Sequence, residues 1–307
     1  MKIGIIGGTG FVGTYLVDKL CADGHQVRLL VRSGSEHKVA AHESVEAIAG
    51  DVGDDASVRT CLTGCDAAVY LVGILREDPK AGVSFDALQR RGAERAIAVA
   101  QELEVQRFLL MSANGINAAA TPYQTSKLQA EEALMASGLD WTIFRPSVIF
   151  GDPCGRMEFC SQLKAELIDS PIPAPLFYEG LLPLNAGSFE LAPVHVEDVA
   201  AAFAAALGQP RSIAQTLELC GPRAFSWKQI LEAIAAATGK KKLMLPAPAM
   251  FIAPVAGLLG RFQWFPVTRD QLVMLLGGNT CTDDGFERLG LSARAFDQES
   301  LGYLRGA

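Results

Sequence analysis

An α/β fold, a doubly wound parallel sheet with a smaller C-terminal lobe, is predicted for this chain by three observations. Short apolar runs rich in β-branched residues alternate with longer helical patterns over residues 1–150. The first run passes straight into a glycine-rich turn and then a helix. Beyond Gly151 the alternation loosens into apolar clusters marked by prolines. Residues 1–150, with a strand or helix contributed by later residues, are therefore expected as the main domain and 151–307 as the smaller lobe.

The elements follow in order. Lys2–Ile6 is the first strand, because its apolar run breaks into glycine after a few residues and is too short for a secretory leader. Helix Val12–Ala22 comes next and is stopped by Asp23-Gly24, which supplies a left-handed cap. Gln26–Val31 and Val45–Ala49 are strands, followed by helix Ala56–Leu62. Strand Ala67–Val72 leads to helix Phe85–Leu103, and strand Arg107–Met111 to helix Tyr123–Ser137, which Pro122 opens. Trp141–Arg145 is the sixth strand. In the lobe, Pro171, Pro173, Pro175 and Pro183 mark an irregular region, while Glu197 and Asp198 suit the first turn of a helix Val196–Leu207.

Bulk properties exclude several classes. With 307 residues, half of them apolar, the chain can bury a large core. A formal charge of -7 argues against nucleic acid as a partner, since non-specific binding to it runs on clustered Lys and Arg. Seven cysteines without a zinc-like spacing and only four histidines predict no metal site. They are expected as reduced thiols of a cytoplasmic protein. Leu243–Gly260 is uncharged, follows Lys240-Lys241-Lys242, and just reaches the roughly 18 residues of a membrane span. Pro246, Pro248 and Pro254 interrupt it, so a short strand and then a buried or interfacial helix are expected. Such a segment is the candidate for peripheral contact with a membrane or a protein complex.

The strand, turn and helix at the N-terminus carry the strongest chemical signal. In Gly7-Gly8-Thr9-Gly10-Phe11-Val12-Gly13 the glycines allow a tight turn and bring backbone N–H groups and a helix N-terminus to a pyrophosphate. This is the dinucleotide site of a Rossmann-type sheet. The second strand ends in Arg32-Ser33, where an NAD site usually places an acid. Arg32 can pair with a 2′-phosphate instead, which predicts NADP(H) over NAD(H) as cofactor; the alternative is an ordinary solvated arginine. Asp51, followed by Val52 after the third strand, is placed to accept from the adenine amino group or to hold the loop turn.

The glycine turn, Gly50-Asp51-Val52, Tyr123-x-x-x-Lys127 and Arg145-Pro146-Ser147-Val148 occur in an order and spacing that resembles the extended short-chain dehydrogenase/reductases. More narrowly the chain is similar to their atypical branch, which contains the nucleotide-binding accessory subunit of respiratory complex I and its bacterial relatives. Pro193 to Ala200 and Thr268 to Leu272 support the likeness. The resemblance implies that Leu71, Val72 and Gly73 flank the adenosine side. It also implies that Pro146, Ser147 and Val148 line the nicotinamide and that the C-terminal lobe closes over the substrate.

Tyr123 and Lys127 lie four apart on one helix face. An ammonium beside a phenol favours the phenolate, which makes the pair usable as acid or base at a carbonyl that receives hydride. Where members of the family carry a Ser or Thr after the fifth strand, this chain reads Met111-Ser112-Ala113-Asn114. Anchored on Phe108, the register puts Ala113 in that place and Ser112 one residue early. The catalytic set is thus incomplete. Three functions follow: an NADP(H)-dependent oxidoreductase on a largely apolar carbonyl or hydroxyl substrate, a non-catalytic nucleotide-binding subunit or assembly factor, and a nucleotide redox sensor. His195 is expected at a strand-to-helix junction and outside the catalytic set.

Overall fold

The computed structural model describes residues 1–39, 41–156, 158–251 and 269–305. Its chain begins with β1 (Lys2–Ile6), α1 (Phe11–Ala22), β2 (Gln26–Val31), β3 (Val45–Ala49), α2 (Asp55–Leu62) and β4 (Ala67–Tyr70). A π-helical turn, Asp86–Arg91, runs into α3 (Gly92–Glu102). Then come β5 (Arg107–Met111), α4 (Pro122–Met135) and β6 (Asp140–Pro146). Much later α6 (Val196–Leu207) and β11 (Gln215–Leu219) return to the same sheet. The sheet has seven parallel strands in the order β11-β6-β5-β4-β1-β2-β3. Helix α1 packs with α6 in one layer, and α2, α3 and α4 pack in sequence in the other, which is the doubly wound Rossmann arrangement.

Two compact units result. The first is Met1–Pro146, Val196–Leu219 and Asp283–Ser292; the second is Ser147–His195, Cys220–Thr282 and Ala293–Ala307. The sequence reading places residues 1–150 and a later strand or helix in the first unit; the chain crosses between the units several times. Within the first unit, Ile6, Val58, Ala96, Phe108, Leu134 and Ile143 share one buried cluster under α2, α3 and α4. Arg107 is buried beside them and its guanidinium reaches the Asp140 carbonyl (2.6 Å), Thr142 Oγ1 (2.6 Å), the Ala206 carbonyl (2.8 Å) and Ser212 Oγ (2.8 Å). Burial lowers it to about 10, so it stays charged and ties β5, β6 and α6 together.

Three expectations are corrected here. The fourth strand ends at Tyr70 rather than Val72, and Leu71–Gly73 is loop. The predicted helix Phe85–Leu103 opens with a π turn, whose Leu88 carbonyl accepts the buried Tyr70 hydroxyl. The cysteines are not all reduced: Cys220 and Cys281 are joined, with Cα atoms 5.9 Å apart.

The second unit has small sheets and its own core. β7 (Ile149–Phe150) pairs with β10 (Val194–His195), β8 (Ala174–Tyr178) with β13 (Met244–Pro248), and β9 (Glu190–Leu191) with β12 (Phe225–Ser226). Helices α5 (Phe159–Leu163), α7 (Trp227–Ala237) and α8 (Arg269–Leu276) surround Phe150, Leu176, Trp227, Ile230 and Leu301. Trp227 satisfies its indole N–H on the Pro175 carbonyl at 2.8 Å. Of the uncharged segment 243–260, the strand expected at its start is β13, and residues 252–260 lie outside the described residues, as does Thr268. Among the described residues no helix is long and apolar enough to cross a membrane.

Candidate functional site

The site of the first unit forms at the carboxyl ends of β1 to β5. Gly7 leaves β1 with φ +97, a conformation that suits glycine. The turn closes by Gly10 N–H donating to the Gly7 carbonyl (3.1 Å), and α1 starts with Thr14 N–H on the Gly10 carbonyl (3.0 Å). A methyl group on Gly13 would lie 2.5 Å from Gly7 O and 2.6 Å from Gly8 Cα. Only glycine therefore allows the turn to fold onto the helix. The first turn of α1 carries no acid, so its free N–H groups and partial positive charge are open to an anion. Thr9 and Gly10 are at the rim, Phe11 packs edge-on to Tyr15 at 5.9 Å, and Val12 is buried. This cradle fits a dinucleotide pyrophosphate.

The structure brings the neighbouring strand ends to the same rim. A Cβ on Gly7 would touch the Val72 N and Leu71 C atoms at 3.0 and 3.1 Å, so the loop Leu71–Gly73 lies against the turn. Arg32 and Ser33 follow β2 and are exposed. Asp51 follows β3, and its carboxylate accepts the Gly53 N–H at 2.7 Å, so it holds the loop turn that is the alternative to an adenine contact. Val52, expected at the cofactor, has its side chain buried in the core cluster, and its carbonyl accepts from Arg95 at 3.1 Å.

Helix α4 supplies the chemistry-bearing side chains. Thr121 caps it and Pro122 opens it. Tyr123 packs edge-on against Phe85 at 5.7 Å, and burial pushes its phenol up to about 12. Lys127 is 3% exposed. Its Nζ donates to the Met111 carbonyl (2.9 Å) and the Val72 carbonyl (3.3 Å), at the ends of β5 and β4. Burial lowers its ammonium to about 8, against the opposing attraction of Glu131. Glu131, which sequence reasoning missed, is fully buried and takes a two-pronged grip from Arg145 (Nε 2.9 Å, Nη2 2.5 Å). Its signal was present in the sequence as an acid four residues after Lys127.

The other predicted positions are distributed as follows. Strand β5 ends at Met111, so Ser112 is not governed by strand alternation; its hydroxyl is buried and has no hydrogen-bond partner. The Asn114 N–H donates to the Pro146 carbonyl at 2.9 Å, and Pro146 is buried. Ser147 and Val148 open the second unit. There Ser147 Oγ donates to the Asn279 carbonyl at 3.0 Å, and Val148 packs against that unit's core. His195 lies edge-on to Phe150 at 5.1 Å with Nδ1 3.3 Å from Arg294 Nη1, at the end of β10.

A family model for NAD(P)H-binding proteins matches residues 7–169, which begins at the glycine turn and includes Tyr123, Lys127 and Glu131. The chain belongs to that NAD(P)H-binding family. It is 28% identical over 278 residues to the ceramide reductase of Caulobacter vibrioides, spanning 90% of this chain and 82% of that protein. It is 25% identical over 268 residues to the 40 kDa subunit of NADH-ubiquinone oxidoreductase from Neurospora crassa, 86% and 67% of the two chains. Among solved structures, the UDP-glucose 4-epimerase of Thermus thermophilus in complex with NAD superposes with a TM-score of 0.74. The identity is 19% and the cover 100% of both chains, so this likeness speaks for the fold. The family is the atypical, epimerase-like branch of the short-chain dehydrogenase/reductases that the motifs suggested.

Proposed function

We propose that this NAD(P)H-binding protein is an NADP(H)-dependent oxidoreductase that works in the direction of carbonyl reduction on a largely apolar substrate. The observation that carries the reading is the placement of Tyr123 and Lys127. One N–H of Lys127 remains after its two carbonyl bonds and is available to a nicotinamide ribose or to the phenol. When bound, the dinucleotide supplies the hydride. Tyr123, a phenol that is protonated at neutral pH and that burial pushes up to about 12, supplies the proton to the carbonyl oxygen and regains one from solvent. Arg32 supports NADP(H), being exposed at the end of β2 with no acid beside it in Val31-Arg32-Ser33. The likeness to a ceramide reductase supports an apolar substrate.

The test is a titration with NADPH and NADH followed by nicotinamide fluorescence, for the native chain and Arg32→Ala, and then NADPH oxidation with a panel of apolar ketones. Tight NADPH binding with turnover that Tyr123→Phe abolishes is the expected result. Turnover unchanged in Tyr123→Phe would refute the catalytic assignment.

A second reading, a nucleotide-binding subunit that docks on a lipid surface, is favoured by the second unit. Leu181 and Leu184 are 88% and 90% exposed there, and Leu243, Leu245 and Phe251 are exposed as well. Co-flotation with anionic phospholipid vesicles that is lost in Leu181→Asp/Leu184→Asp, with no turnover on any ketone, would select it.

A further inference from the structure

We propose that Glu131, clamped by Arg145, is a positioning residue that keeps the buried Lys127 charged and so sets the pH range over which the nucleotide is held. The inference rests on reading Lys127 as a nucleotide contact. Buried lysines ordinarily lose their proton, because desolvation disfavours the ammonium. Lys127 is enclosed by the ends of β4 and β5, which present it with backbone carbonyls. The acid that opposes the cost of burial is Glu131, one helical turn away on α4.

That acid is itself enclosed, at 0% exposure, where a carboxylate needs hydrogen-bonding partners. Arg145 on β6 provides one, holding both carboxylate oxygens in a planar fork. The grip fixes the carboxylate in the place where its field reaches Lys127. Glu218 on β11 faces Arg145 from the next strand and strengthens its charge. Gln89, on the π turn, is uncharged and is used on Ser126 and the Ile74 carbonyl. Tyr123, one turn before Lys127, stays neutral in the physiological range. Lys127, Glu131 and Arg145 thus form a set of alternating charge that joins α4 to β6.

The sign follows from where Lys127 titrates. Its ammonium is nearly complete a unit or more below about pH 8 and is lost as the pH rises through that value, so nucleotide affinity falls on the alkaline side. Removing the carboxylate charge should move this fall to lower pH by about one to two units, the effect of one opposite charge at close range. In Glu131→Gln, NADPH affinity should then lie within about twofold of the native chain at about pH 6 and about 3- to 25-fold below it at about pH 7.5.

Two measurements test this. The first is NADPH titration from about pH 6 to about pH 9 for the native chain, Glu131→Gln and the double variant Glu131→Gln/Arg145→Met, which removes the uncompensated arginine and protects the fold. The second is an NMR titration of 13Cε-lysine in the same three proteins without nucleotide, with the Lys127 signal assigned by Lys127→Met. A lower midpoint in both variants, in both measurements, is the expected result. An unmoved Lys127 midpoint in the double variant, whatever its thermal stability, would overturn the proposal. A shifted lysine midpoint without NADPH binding by the native chain would instead overturn the nucleotide role and leave the electrostatic one standing.

Discussion

The glycine turn and helix α4 face the same rim but are built on opposite terms. In the turn, function depends on side chains being absent: Gly7 needs its positive φ and Gly13 needs the space of a missing Cβ. The binding groups are backbone N–H groups, which every residue but proline carries, so the sequence encodes them by exclusion. On α4 the proposed function depends on side chains being present and enclosed, and Lys127 acquires its surroundings from the ends of β4, β5 and β6, each distant in the chain. A local site tolerates no bulk. A long-range one tolerates no loss of charge balance.

Substitutions at the two ends should therefore fail in different ways. The largest effect is expected from Gly13→Val, which drives a branched side chain into the Gly7 carbonyl and should abolish NADPH binding together with a fall in melting temperature. Next comes Tyr123→Phe: fold and NADPH affinity stay native while the reductase rate falls by about 10² to 10⁴, the usual worth of a general acid, as steady-state kinetics would show. Lys127→Met should weaken NADPH by about 10- to 100-fold, in keeping with the loss of one charged hydrogen bond, and should not lower the melting temperature. The smallest change belongs to Arg32→Ala, where about a tenfold loss of NADPH affinity with NADH unaffected is expected from an exposed phosphate contact. Equal losses for both nucleotides would remove the 2′-phosphate role.

Much of this architecture is written locally. The first six strands are read from apolar runs, and five of the six end within a residue of where they are found. β4 stops two residues early because Leu71–Gly73 turns across the glycine loop, an event decided by a neighbour rather than by propensity. The π turn before α3 is equally hidden, since it depends on the Tyr70 phenol reaching the Leu88 carbonyl. That the Val52 side chain joins the core cluster is likewise decided by the turn after β3, which points it inward. The Cys220–Cys281 link joins residues 61 apart in sequence, and spacing alone does not pair them.

The sequence by itself determined the sheet class, the position of the glycine turn and the placement of Tyr123 and Lys127 on one helix, since each is set by residues within one helical turn or one loop of each other. Tertiary structure alone decided that β11 completes the sheet, that Glu131 and Arg145 meet beneath Lys127, and that Lys127 titrates far below an ordinary lysine. The physical reason is that desolvation and charge pairing depend on which distant segments enclose a group, and that enclosure exists only once the strands have assembled.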